Sequence, residues 1–160
     1  MGALGVMVAE AAPGQTIPDL LGLVSAEALL AALDGLGPVG RQAYVKVAIV
    51  DLVYPLFYGS FMALSMGWGW RDRVATSALY RTLLLLPLFG VLADYVENLS
   101  VLTLILSPPA SPTTLAWVGA VGHALKWALV LSSLVLAFGA LYRGYKRRGL
   151  PSEDSTPKVG

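Results

Sequence analysis

A small set of residues could do chemistry in an otherwise apolar chain: Asp51, Tyr54, Tyr58, Asp94, Glu97, Asn98, His123 and Lys126. Asp94, Glu97 and Asn98 fall inside LADYVENLSV, with TLLLLPLFGV before it and LTLIL after it. D-x-x-E on a helix presents two carboxylates from one face, because helical neighbours recur at three and four residues. Such a pair can hold a cation, exchange a proton, or serve as general acid and base. Asp94, Glu97 and His123 are the candidate donors for a divalent metal, and Lys126 opposes that use electrostatically.

Several chemistries are excluded. The chain has no Cys, so it has no disulfide and no thiolate site. There is no H-E-x-x-H, no glycine-rich phosphate loop and no G-x-S-x-G elbow. A di-iron bundle would need Glu-x-x-His pairs and more carboxylates. Ser133 lies about 15 Å along a helix from His123, which rules against a Ser-His pair there.

The candidates fall into three stripes at helical spacing. Tyr44, Asp51 and Tyr58 share a face, with Tyr54 one turn beyond Asp51. Pro55 frees the Asp51 carbonyl and invites a kink. Pro87, Gly90, Asp94, Glu97, Asn98 and Val101 share a second face; Gly119, His123, Lys126, Val130 and Ser133 share a third. Beside the third runs Ala116, Ala120, Ala124 and Ala128, small residues that allow close backbone approach. Three carboxylates against one certain cation, Lys126, leave an excess of negative charge that a low-dielectric interior tolerates poorly. The candidate neutralisers are protons, protonated His123, a metal, a cationic ligand, or Arg41 or Lys46 folding in.

The elements that carry these stripes are membrane spans. The chain has 160 residues, 56% hydrophobic and 13% charged, with a net charge of +1, which offers no nucleic-acid surface. A span needs about 20 apolar residues, and residues 43–66, 79–106 and 115–141 qualify. GWGWRDR and the Pro/Ser turn SPPASPTT separate them, with Ser111-Pro112 as cap and first residue of the third helix. Arg71, Arg73, Arg81, Arg143, Lys146, Arg147 and Arg148 place the first loop and the C-terminus in the cytoplasm of a multi-pass cell-membrane protein; Arg41 and Lys46 run against that rule. YRGYKRR reads as a stop-transfer anchor. At about 1.5 Å per residue, Asp51, Asp94, Glu97, His123 and Lys126 all lie roughly 12 to 18 Å below the outer surface. A charge at that depth costs about 2.5 kcal/mol or more against lipid, so the stripes should converge inside a bundle.

Residues 1–42 form an N-terminal segment. AEA in MGALGVMVAEAAPG resembles a signal cleavage site, without a basic region before it. Residues 17–36 carry an amphipathic pattern with Leu29, Leu30, Leu33 and Leu36 on one face. Ser25 is its cap, and Gly35, Gly37 and Pro38 end it. This predicts a helix lying on the outer leaflet, with a fourth span as the second reading. The fold expected is therefore an all-α integral membrane bundle over 43–142, with an interfacial or fourth helix before it and a basic, polar tail over 143–160.

LDGLGPVGRQAY, DLVYPLFYG, LPLFGVLADYVEN and KWALVLSS together resemble an uncharacterised family of small prokaryotic multi-pass membrane proteins. Its pattern is close to LGPxGRxxY, D-x-x-[FY]-P-x-x-Y, P-x-x-x-x-x-x-D-x-x-E-N and K-W. The resemblance covers roughly residues 29 to 133. It singles out Gly40, Arg41, Tyr44, Asp51, Pro55, Tyr58, Asp94, Glu97, Asn98, Lys126 and Trp127. It implies no established activity. Members often begin with an additional membrane helix, where this chain has only a short apolar run.

Three functions follow as expectations. The first is a buried acidic site in the outer half of the bilayer that binds a cation, a proton or a cationic amphiphile, in transport, sensing or accessory binding. The second is an intramembrane enzyme acting on a lipid, with Asp94 or Glu97 as acid or base, Lys126 and Asn98 polarising the substrate, and Phe89 and Tyr95 lining a cleft. The third is an accessory subunit that meets a membrane-protein partner through the alanine face.

Overall fold

The computed structural model describes residues 25–107 and 113–148. The signal-like AEA, residues 17–24 of the amphipathic segment, the Ser111-Pro112 cap and most of the polar tail lie outside the described residues. Among the described residues every element is a helix: α1 (Ala26–Gly35), α2 (Gly37–Asp51), α3 (Tyr54–Gly69), α4 (Arg71–Thr76), α5 (Ala78–Leu83), α6 (Leu86–Leu106) and α7 (Thr113–Arg148). Three continuous stretches, Gly37–Gly69, Ala78–Leu106 and Thr113–Arg148, are long and apolar enough to cross a membrane. The fold is thus the all-α membrane bundle that the hydropathy predicts.

Each of the first two spans is broken just before a proline. Proline at the second position of a helix lacks a donor that the first turn does not use, so it starts a helix well and continues one badly. α2 stops at Asp51 and α3 begins at Tyr54, with Pro55 in its first turn. The Val53 and Leu56 amides tighten to carbonyls three residues back, Val50 and Val53, at 3.1 and 3.2 Å. α6 likewise begins at Leu86 with Pro87 in its first turn.

α6 is the central helix. Half of its span's apolar window is buried, against 28% and 22% for the other two. It runs antiparallel to α7 through the largest interface, and α3 packs on both. Two apolar clusters result. One joins Leu29, Leu33 and Leu36 to Tyr44, Val47, Val101, Leu104 and Ala116; the other joins Met62, Met66, Trp70, Ala137 and Ala140.

α1 is capped by Ser25, whose hydroxyl accepts from the Ala28 amide at 3.2 Å, and it ends before Gly37, which takes φ +61°. At ten residues it is about 15 Å long, half of what a span needs. Its leucine face is turned onto α2, α6 and α7 rather than outward, with Leu29, Leu33 and Leu36 all buried. The amphipathic pattern therefore reports a protein interface: α1 caps one end of the bundle.

Candidate functional site

Glu97 sits in the α6–α7 interface, opposite Gly122. A Cβ on Gly122 would meet the Glu97 amide nitrogen at 3.1 Å and its Cα at 3.3 Å, so a larger residue would push the two backbones apart by a few tenths of an ångström. The next residues on that face of α7, His123 and Lys126, then bracket the carboxylate. His123 Nδ1 lies 2.6 Å from Glu97 Oε1, and Lys126 Nζ lies 2.5 Å from Oε2. Lys126 also reaches Asp94 Oδ1 at 3.7 Å. All four residues are buried.

Asp94 and Asn98 connect this group to the first span. The Tyr58 hydroxyl donates to Asp94 Oδ2 at 2.6 Å. The Asn98 amide donates to Asp94 Oδ1 at 2.9 Å and to Asp51 Oδ2 at 3.3 Å. Asp51 is the last residue of α2, at the helix break, and is only half-buried. Its neighbours Val50, Val53, Tyr54 and Phe57 are exposed on the apolar outside of the bundle. The break itself is held by Tyr95, whose hydroxyl donates to the Leu52 carbonyl at 2.9 Å.

The network therefore has two halves. In one, His123 and Lys126 pair with Glu97. In the other, Asp51 and Asp94 share one amide and one phenol, with Lys126 more distant. Counting His123 as charged, three carboxyls still face only two cations, and the excess lies toward Asp51. The two apolar clusters lie on either side of this layer, so its half-buried side, at Asp51 and Tyr58, faces sideways from the bundle.

Most of the expected residues meet: Asp51, Tyr58, Asp94, Glu97, Asn98, His123 and Lys126 form one connected set. Tyr54 does not join it. Its side chain is 62% exposed and only meets the Tyr58 ring edge-on at 5.5 Å between centroids. The buried face of α3 runs instead through Pro55, Gly59, Met62 and Met66, which leaves Tyr54 to one side. Arg41 is also elsewhere: it pairs with Asp34 at 3.0 Å and donates to the Ile105 carbonyl at 3.4 Å, tying α1 and α2 to the end of α6. Lys46 is exposed.

Asp94, Glu97 and His123 do not form a three-donor metal group, and none of that kind occurs among the described residues. The Lys126 ammonium lies between the two carboxylates and takes the place a metal would need. The alanine stripe is only partly an internal seam, with Ala116 and Ala120 buried and Ala128 exposed. Gly122 was not among the candidates, and Tyr95, expected only as the lining of a cleft, holds the helix break instead. A glycine one residue before a charged stripe is the signal for the first; an aromatic hydroxyl opposite a proline-broken helix is the signal for the second. Compared with known proteins, the chain matches no family model, no curated protein and no solved structure.

Proposed function

We propose that this chain is a small multi-pass protein of the cell membrane, its C-terminus cytoplasmic, that binds a cationic group at Asp51 and Asp94. The preferred ligand is a protonated amine on an amphiphile that arrives sideways from the lipid. The observation that carries this reading is the setting of Asp51: a half-buried carboxylate at the C-terminal end of a broken helix, among lipid-facing residues, on the acid-rich side of the network.

Three physical arguments support it. A carboxylate open to hydrocarbon costs several kcal/mol on most scales, and a bound cation relieves that cost. The C-terminal end of a helix carries partial negative charge, which adds to that of Asp51 and favours a cation there. Broken helices inside membranes recur at cation sites for this reason. Apolar clusters on both sides of the layer favour binding from the side over conduction along the bundle axis.

The test is calorimetric titration of dodecylamine into the protein in a neutral sugar detergent, beside Asp51→Asn. Saturable binding that the variant loses, with helicity and gel-filtration behaviour kept, is the expected result. Equal binding by both forms, or none by either, overturns the proposal.

A further inference from the structure

A second site stands at the opposite end of the bundle from α1. There the C-terminal ends of α3 and α7 touch through glycine. A Cβ on Gly69 would lie 2.0 Å from the Ala140 carbonyl oxygen, and one on Gly144 would lie 2.3 Å from the Trp68 ring. Beside this seam is a cavity of about 60 Å³, lined by Trp68, Gly69, Arg71, Gly144, Arg147 and Arg148. We infer that this cavity binds the phosphate group of an anionic lipid, held by Arg71 and Arg148 with Trp68 as its wall.

The charge pattern is specific. Arg147 is paired with Asp72, so it is largely neutralised where it stands. Arg71 is less engaged: its Nε lies 3.7 Å from Asp72 Oδ1, and its side chain is 71% exposed. The Arg148 guanidinium sits 5.1 Å from the Trp68 ring centroid, an arrangement that orients its donors without supplying a counter-charge. Three guanidiniums and one carboxylate leave the cavity cationic. Guanidinium forks match the oxygens of a phosphate, and the volume suits a headgroup phosphate rather than a whole lipid.

A lipid is favoured over free phosphate by what adjoins the cavity. It lies where two spans end, at Gly69 and Arg148. Leu131, Val135, Phe138, Tyr142 and Tyr145 recur at four and three residues and are all exposed, so one apolar stripe leads along α7 to Arg148. An acyl chain can lie on that stripe while its phosphate sits among the arginines.

Native mass spectrometry from mixed micelles tests this, with phosphatidylglycerol and phosphatidylcholine offered in equal amounts. The wild-type chain should retain phosphatidylglycerol preferentially. R71Q/R148Q should weaken that retention about twenty-fivefold, taking about fivefold for each basic residue near a lipid surface. Asp72→Asn should strengthen it about fivefold, a change of opposite sign that loss of folding would not produce. Equal retention of both lipids, or an Asp72→Asn variant no better than wild type, overturns the inference. Displacement of phosphatidylglycerol by millimolar inorganic phosphate assigns the cavity to free phosphate and overturns the lipid reading.

Discussion

Replacing Lys126 with methionine tests whether Glu97 is held by internal pairing. The side chains are similar in size, so the change removes a charge and little volume. Lys126 Nζ lies 2.5 Å from Glu97 Oε2 and 3.7 Å from Asp94 Oδ1. At an effective dielectric constant of about 20 these are gross attractions of about 7 and about 4.5 kcal/mol. Desolvation of buried ions offsets most of that, and removing one partner of a buried pair costs about 3–5 kcal/mol because the other charge is stranded. Lys126→Met should therefore destabilise the bundle by about 3–5 kcal/mol. Lys126→Met/Glu97→Gln should recover at least about 1 kcal/mol of that loss. The glutamine side chain can still hydrogen-bond His123 Nδ1, and the loss that remains is that of Asp94, which no longer has Lys126 at 3.7 Å. Unfolding by dodecyl sulfate in mixed micelles, followed by helical circular dichroism, gives both numbers. A single variant within about 1 kcal/mol of wild type would refute the pairing, as would a double variant no better than the single.

Four further outcomes follow from the same coordinates. Tyr58→Phe removes a donor to the buried Asp94 carboxylate and should cost about 1.5–3 kcal/mol, whereas Tyr54→Phe should be silent in the same unfolding assay. Tyr95→Phe leaves the Leu52 carbonyl without its hydroxyl donor and should cost about 1 kcal/mol, with faster amide exchange at residues 52–56. Gly69→Ala forces a Cβ against the Ala140 backbone, so it should cost about 3 kcal/mol or more, while Gly67→Ala, which meets nothing within 4 Å, should be tolerated. At α1, the backbone hydrogen bond of Glu27 and then Ser25 hold the Glu27 carboxyl below its ordinary value of 4.5. A depressed carboxyl stabilises above the unfolded value and loses that contribution as pH falls through the folded one, so exchange protection of α1 should weaken only on acidification below 4.5. Ser25→Ala should weaken it at neutral pH by about 1 kcal/mol.

The sequence reveals the spans and most of the site because two simple rules dominate in an apolar chain. Length and hydropathy mark the helices, and the cost of a charge in lipid turns each polar stripe inward. Asp94, Glu97, Asn98, His123 and Lys126 obey both rules, and all five are buried. Tyr54 falls outside the site because helical spacing from Asp51 does not carry across the break. Pro55 breaks the span at 52–53, and the buried face of α3 turns toward Pro55 and Gly59. At α1 an amphipathic pattern states that one face is apolar, not what covers it; the structure covers Leu29, Leu33 and Leu36 with the bundle. Arg41 could not be assigned from spacing, since its partners Asp34 and the Ile105 carbonyl come from two other elements.

The helix break and the acid excess occur at the same place, and each makes the other harder to sustain. A break in hydrocarbon frees backbone carbonyls, which need the Tyr95 hydroxyl at Leu52 and tight turns at Val50 and Val53 as partners. Placing Asp51 on the terminal residue of α2 adds a carboxylate to the negative end of that helix. A purely structural network would gain by an asparagine at 51, which keeps a hydrogen-bonding partner for Asn98 without the charge. Asp51→Asn should therefore stabilise the empty protein, by up to about 2 kcal/mol from the dipole alone, while abolishing amine binding. That exchange of stability for affinity is what a site held ready for a cation predicts. A variant less stable than wild type would instead make Asp51 part of the scaffold.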